Sequence, residues 1–560
     1  MTKKNFHHKG FGKNKIDDPA TGFMTAMDRR TFLSLSGKIS GMALLGLTLA
    51  NCGPSEPETP SQSIQMRPDK IIMGSAVDLY TIDPAIGFDS AISSSLKNLY
   101  DALFRHVGNP PRAIPWLAES HEVSKDTREW IFKLSKNAVF HDNTPVTAEA
   151  VKYSANRMLR INKGPANLFS GIMDKNSVKV LDSHTIKISL LQPFGPFLHT
   201  LPWLFVVNPE KVQAHAGKDD GQTWLSDHAE GSGPFTIGDW KPGNIYEFKA
   251  VENYWRGWPD KKHLKSYVRK VINDNENKTI ALELGEVDMV DWASPEVQVK
   301  LKDKGFTIVE TPTLEIYEVK LNNQRGFTAD RHVRKAISYA FDYKTLKKTW
   351  KDRATILNGP LPPGLEFSYQ DREPYHLDLK KAQQELAKSP WPDGGFLLDY
   401  VYVTGLEEER ITGELLRDQL ALLNITVNII PMAWADAVTT FNDFNTAPSM
   451  FPIYSSKAYP DPDNYLWSGY HSSQAGQWTN PGHYKNPDLD ILLETARKTV
   501  EKSELKIIYG RIQKTILDDA VNIFCLSTPD HHILSPRIKN YTYCPVMGSD
   551  EDFYYLQTAD

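Results

Sequence analysis

Alternation with a period of two marks the early part of the chain. Trp130, Phe132 and Leu134 alternate with other residues, and so do Ile186, Ile188 and Leu190, which predicts half-buried strands. Between them Thr147 precedes A-E-A-V-K-Y-S-A-N-R-M. A threonine there caps a helix start, and Glu149 in the first turn favours the helix dipole. The second half changes character. Asp330 precedes a helical pattern with Val333, Ile337, Ala340 and Phe341 on one face. Leu398, Tyr400 and Tyr402 then alternate as a strand, Leu416, Leu420 and Leu423 repeat at helical spacing, and Ile425, Val427 and Ile429 alternate again. Strand, helix, strand at this length is a βαβ unit, hence part of a parallel sheet with a right-handed crossover. A Pro/Gly cluster, Gly359-Pro360-Leu361-Pro362-Pro363-Gly364, marks a long surface loop within that half. The patterns predict at least two α/β lobes.

The front of the chain follows neither period. D-R-R-T-F-L runs from Asp28 to Leu33, and an apolar stretch extends from Ile39 to Ala50. That stretch falls short of the ~20 apolar residues a membrane span needs. A basic segment, a short apolar core and a small-residue end make a secretory signal. Arg29-Arg30 followed by Phe32-Leu33 resembles the twin-arginine export signal, with Asp28 in place of the usual hydroxyl residue. The core ends in L-T-L-A-N-C, which resembles a lipobox with Cys52 as the acylated residue and Asn51 where Gly, Ala or Ser is usual. An ordinary export signal and a plain Cys52 thiol are the alternatives. The following G-P-S-E-P-E-T-P-S-Q-S has too little apolar material for a core and suits a solvated tether. The expected order is a signal and lipobox at 1–52, a disordered tether at 53–67, and a folded body held outside the cytoplasm by lipid alone.

Composition narrows the function. At 560 residues the chain has room for two or three domains, and its net charge of −5 excludes a general nucleic-acid binder. The three cysteines form no Cys-x-x-Cys pair. Apart from Cys52, Cys525 and Cys544 are either a disulfide or two buried thiols. There is no G-x-S-x-G elbow, no Gly-x-x-x-x-Gly-Lys loop and no His-Glu-x-x-His. Gly231-Ser232-Gly233-Pro234 reads as a tight turn into a strand at Phe235–Ile237, because the proline removes a donor that a phosphate cradle would use. His531 and His532 are adjacent, and neighbours on a strand face opposite ways, so they do not chelate one metal together. Asp219-Asp220 and Glu407-Glu408-Glu409 read as solvated faces. No catalytic residue, metal site or cofactor is assigned.

Five blocks, in order, carry a resemblance. They are T-I-D-P-A at 81–85 with N-L-Y-D-A-L at 98–103; A-E-S-H-E-V-S-K-D at 118–126 with V-F-H-D-N-T-P-V-T-A-E-A-V at 139–151; G-S-G-P-F-T-I-G-D-W-K-P-G at 231–243 with N-Y-W at 253–255; L-N-N-Q at 321–324 with H-V-R-K-A-I-S-Y-A-F-D at 332–342; and Y-P-D-P-D-N-Y-L at 459–466 with N-P-D-L-D-I-L-L at 486–493. Together they resemble the peptide/nickel-type (family 5) extracellular solute-binding proteins of ABC importers. The resemblance implies an α/β, periplasmic-binding-protein-like fold, type II and cluster C-like, with two lobes joined by a hinge and an inserted extra domain. Lobe I would span 68–314 with the insertion at about 98–215, lobe II 315–525, and residues 526–560 would return to lobe I. Crossings near Tyr317 and Phe524 would form the hinge.

The resemblance further implies a monomeric binding protein without enzymatic activity. Its partners would be a small-molecule or peptide solute and the permease subunits of the importer. Peptide receptors of this family hold the ligand as an added extended strand. The positions that carry over are Asp78, Leu79 and Tyr80 on one side and Tyr454, Ser455, Ser456, Lys457 and Tyr459 on the other. The family's peptide binders place an aspartate one residue before Tyr459, where this chain has Ala458. Its loss removes a charge-assisted anchor for a ligand ammonium group. An exported lipoprotein hydrolase, with a nucleophile–base pair in the cleft, and a signalling or adhesion lipoprotein on the same fold are the competing readings.

Overall fold

The computed structural model describes residues 67–291, 293–369, 375–455, 458–477, 479–549 and 551–559. The chain divides into two compact units, Met1–Gln62 and Ser63–Asp560, and everything described below belongs to the second. The twin-arginine-like pair, the apolar core, Cys52 and the tether lie outside the described residues.

One large mixed sheet runs through this unit. Its strand order is Ile425–Met432, Phe396–Val403, Met450–Ser455, Thr307–Leu321, Asn522–Leu534, Met289–Val290, Lys70–Ser75, Ser266–Val271, Ile245–Ala250 and Phe235–Lys241. At one end the expected βαβ unit is present. Phe396–Val403 and Ile425–Met432 pair in parallel from Phe396↔Ile425 to Val403↔Met432, and the helix Glu407–Ala421 connects them. Leu398 and Tyr400 on the first strand and Leu416 and Leu420 on the helix are fully buried, as their spacing predicts. At the other end Lys70–Ser75 pairs in parallel with Ser266–Val271, and an antiparallel meander follows.

The sheet serves two separate cores. One gathers Tyr317, Val319, Leu398, Tyr400 and Ile523; the other gathers Ile71, Phe235, Tyr267, Phe553 and Leu556. Among the described residues only two long antiparallel strands, Thr307–Leu321 and Asn522–Leu534, pass from one to the other. Their pairing breaks in the middle, and a one-residue bulge at Cys525 follows between Tyr317↔Leu526 and Glu318↔Phe524. Pro312 faces Pro529 and Ile316 faces Ser527, so three residues, 313–315, stand opposite the single residue Thr528. The break lies a few residues from Tyr317 and Phe524, the crossings read from the sequence.

A second sheet, Ala118–Val123, Glu129–Leu134, Thr185–Ser189 and Val178–Asp182, is antiparallel and stands apart from the first. Trp130, Phe132, Leu134, Ile186 and Ile188 fill a third core beneath it, packed under the helix Ala148–Ile161. Thr147 caps that helix by accepting from the Ala150 amide, and Asp330 caps Arg331–Ala340 by accepting from His332 and Val333. Among the described residues no helix is long and apolar enough to cross a membrane.

The blocks that carried the resemblance turn out to be joints of this architecture. Gly231 and Gly233 press against the end of the helix Ser90–Leu99, where a Cβ on Gly233 would sit 2.5 Å from the Leu99 carbonyl carbon. Gly233 N–H instead donates to Leu99 O at 3.1 Å. The turn brings Ser232 to Asp101, a buried carboxylate that also accepts from the Trp116 indole (2.7 Å), the Tyr254 hydroxyl (2.9 Å) and the Trp255 indole (2.8 Å). The first and third blocks, far apart in sequence, thus meet on one side chain together with Trp116. Burial pushes the Asp101 carboxyl up, although the Trp255, Trp116 and Tyr254 donors and the Arg105 charge pull the other way.

Candidate functional site

A cleft of about 520 Å³ opens where the two long strands cross. Its floor is the irregular crossing itself, Thr313, Leu314 and Glu315 with Thr528, Pro529 and Asp530. Thr313 donates to Thr528 O at 2.6 Å, Thr528 donates to Glu315 at 3.1 Å, and the Tyr465 hydroxyl donates to Leu314 O, so the break in pairing is closed by side chains. One wall comes from Ser75 and Val77 at the end of the first strand and from Phe88–Ala91 at the start of the helix Ser90–Leu99. The other comes from the chain's return, Tyr543, Pro545–Met547 and Glu551. A volume of this size suits a drug-sized solute.

The segments expected to hold a ligand behave differently from one another. Val77, next to Asp78, lines the cleft. The Asp78 carboxylate itself turns away and accepts from the Leu79 amide (2.9 Å), the Gly243 amide (3.1 Å) and the Tyr246 hydroxyl. Leu79 is buried in a core, and Tyr80 stands 65% exposed. On the far side Tyr454 packs its ring 4.6 Å from Tyr317 within the sheet, and Ser455, paired with Ile316, is buried beside it. Ser456 and Lys457 lie outside the described residues.

Ala458 and Tyr459 enter the apolar core of the separate antiparallel sheet, alongside Trp203 and Phe197. The Trp203 indole donates to Ala458 O at 2.6 Å. Gly195 N–H donates to Arg497 O at 3.0 Å close by. The Tyr459 hydroxyl donates to Asp463 at 2.8 Å, and Asp463 in turn holds Arg497 through contacts of 2.6 and 2.9 Å. The Arg497 guanidinium lies 3.4 Å from the centre of the Trp467 ring. Tyr459, and Trp467 with it, therefore serve a contact between two parts of the fold. Asp461, between two prolines, caps the helix Pro462–Tyr470. Burial first, and then the Asp463 charge, push its carboxyl up to about 7.

The question left open for Cys525 and Cys544 resolves to two buried thiols with no disulfide between them. Cys525 belongs to the core around Tyr317, where burial raises its pKa, whereas Cys544 sits in the chain's return beside cleft-lining Tyr543 and Pro545. Sequence reasoning missed the floor of the cleft. Only His532, 3% exposed and lining it, had drawn notice, in the weighing of His531-His532 as a metal pair. His531 is only partly buried, as the alternation of a strand requires. No group of three or more His, Cys, Asp or Glu among the described residues is placed to hold a metal ion.

Residues 112–477 match the family described as bacterial extracellular solute-binding proteins, family 5 middle. The chain is 28% identical over 490 residues to the probable D,D-dipeptide-binding periplasmic protein DdpA of Escherichia coli K12, covering 86% of this chain and 92% of that one. It is 26% identical over 537 residues to heme-binding protein A of Haemophilus influenzae, covering 90% and 96%. Among solved structures, the ABC transporter-associated periplasmic binding protein DppA from Helicobacter pylori, in complex with the peptide STSA, superposes with a TM-score of 0.74 at 22% identity, covering 88% of this chain and 98% of that one.

Proposed function

The chain belongs to the family 5 bacterial extracellular solute-binding proteins, and from that premise we propose that it captures a peptide-like or other small polar solute by hinge closure and delivers it to the permease of its importer. As a member of that family it is a binding protein of an ABC importer, extracytoplasmic, and not an enzyme. The observation that carries the proposal is the cleft of about 520 Å³ lying across the strand crossing. Rotation about residues 313–315 and 528 opens or shuts such a cleft while both cores stay intact, which is hinge motion. The solute must favour the shut form for capture to change the shape a permease meets. Relatives named for D,D-dipeptides and for glutathione support a peptide-like solute, and the relative named for heme widens the range.

The domain plan belongs to the same proposal: a first lobe at 68–314 carrying an insertion at about 98–215, a second lobe at 315–525, and a return at 526–560. So does the lipid anchor at Cys52 behind a twin-arginine-like signal, supported by L-T-L-A-N-C and the Pro/Ser/Glu-rich stretch after it. Native mass spectrometry of the purified protein should identify the co-purifying solute. Adding that solute at about 100 times its Kd should stabilise the fold by about 2.7 kcal/mol through mass action. A single-domain response with no ligand-dependent change in melting or tryptophan fluorescence would sink the proposal.

Closure carries a second test. We assign Trp203–Ala458 and Gly195–Arg497 to the shut form, since each ties the expected insertion to the expected second lobe. Trp203→Phe keeps a ring in the core and deletes the indole donor, leaving Ala458 O buried without it. Such a loss is worth about 1–3 kcal/mol, so solute affinity should fall by roughly 5- to 150-fold, mainly through faster release. Unchanged release in stopped-flow fluorescence would refute the assignment.

A further inference from the structure

The charges on the cleft are unequal, and resting on the solute-capture reading above they specify the solute's head group. Five carboxylates line it, Asp89, Asp291, Glu315, Asp530 and Glu551, against one cation, Arg269. Arg269 is taken by Glu551 at 2.8 Å, and Lys278, from behind the wall, is taken by Asp291. Asp89 and Asp530 have no lysine or arginine within ion-pair distance among the described residues. Asp89 caps the helix Ser90–Leu99 with one oxygen, on the Ile92 amide at 2.9 Å. Asp530 accepts from the His531 amide at 2.8 Å.

His532 supplies an independent sign of a ligand. It is 3% exposed, it lines the cleft, and its ring makes no hydrogen bond among the described residues. The Asp530 carboxylate lies 3.6 Å from its Nδ1, and the rings of Tyr541 and Tyr543 pack against it. A buried imidazole with open hydrogen-bonding capacity is costly unless something in the cleft completes it.

We infer that the solute carries a primary amine or an equivalent cationic head group, and that this group seats on the hinge floor against Asp530, His532 and Asp89 and not on the loop at Ala458. An ammonium offers three donors and a compact charge. Two carboxylates and an imidazole nitrogen accept all three, and charge-assisted bonds of this kind are the strong ones. The same cleft repels a phosphate or an amine-blocked carboxylate. The site moves the anchor from the loop before Tyr459 to the crossing strands, where hinge rotation itself changes the spacing between Asp89 and Asp530.

The test compares the co-purifying solute, or alanyl-alanine if the protein emerges empty, with its N-acetylated form by calorimetric titration. The free amine should bind at least tenfold more tightly. Asp530→Asn, and separately Asp89→Asn, which retains a good helix cap, should each weaken the free amine by about tenfold and leave the acetylated form nearly unchanged. Equal affinity for the two forms, a co-purifying solute with no cationic group, or unaltered binding in both variants would overturn the inference while leaving solute capture intact. A protein that carries nothing and binds neither form counts against capture itself, and the inference falls with it.

Discussion

Asp83→Ala is expected to cost the fold about 3–5 kcal/mol. Asp83, from the T-I-D-P block, is fully buried and receives both guanidinium nitrogens of buried Arg157, at 2.7 and 2.6 Å. It also accepts from the Ala85 amide at 2.9 Å, fixing the turn that leads to the cleft wall. Removing the carboxylate leaves a guanidinium in the interior with only the Asp220 carbonyl, at 2.8 Å, as an acceptor. The pair joins the T-I-D-P turn to the helix Ala148–Ile161, so its loss should loosen the second sheet along with the turn. Urea unfolding followed by tryptophan fluorescence measures the cost. Pairing the change with Arg157→Met should recover most of it, because an apolar pair of similar volume has no charge to strand. A loss below about 1 kcal/mol for the single variant would show that Arg157 finds another partner.

The second large effect depends on pH. The Asp461 carboxyl is raised from its ordinary value to about 7. Between about pH 4 and pH 7 the folded chain keeps a proton there that the unfolded chain has released, so stability from this group declines as pH rises and levels off above 7. Asp461→Asn removes that dependence and preserves the cap on the Asp463 amide, which Asp461 holds at 2.8 Å. The variant should match the parent near pH 4 and exceed it above pH 7 by up to about 4 kcal/mol, three pKa units' worth. A parallel pair of stability–pH curves would mean that Asp461 is ionised in the fold.

The fold was legible in the sequence because its signals are local or modular. Thr147 and Asp330 cap helices for reasons contained within three residues, the period-two run at 130–134 buries the face it predicts, and of Leu398, Tyr400 and Tyr402 the first two are buried and the last partly so. The cleft was not legible in that way. Val77, Asp291, Asp530 and Tyr543 line one space but belong to four distant stretches, and none carries a local pattern. The resemblance pointed instead to segments that the fold uses as joints: Asp78 ties down Gly243, and Tyr459 meets Asp463. Asp83 and Asp101, both from the first block, hold the frame together, while the residues lining the cleft lie outside all five blocks.

The core beneath Lys70–Ser75 is completed by Phe553, whose ring lies 3.6 Å from Tyr267, and by Leu556, four residues from the terminus. Ile71 and Phe553 belong to one core, so this half cannot close on itself until Phe553 has been made, although its first strand leaves the ribosome early. The half translated first therefore matures last, and a stop codon just before Phe553 would injure this core and spare the one around Tyr317.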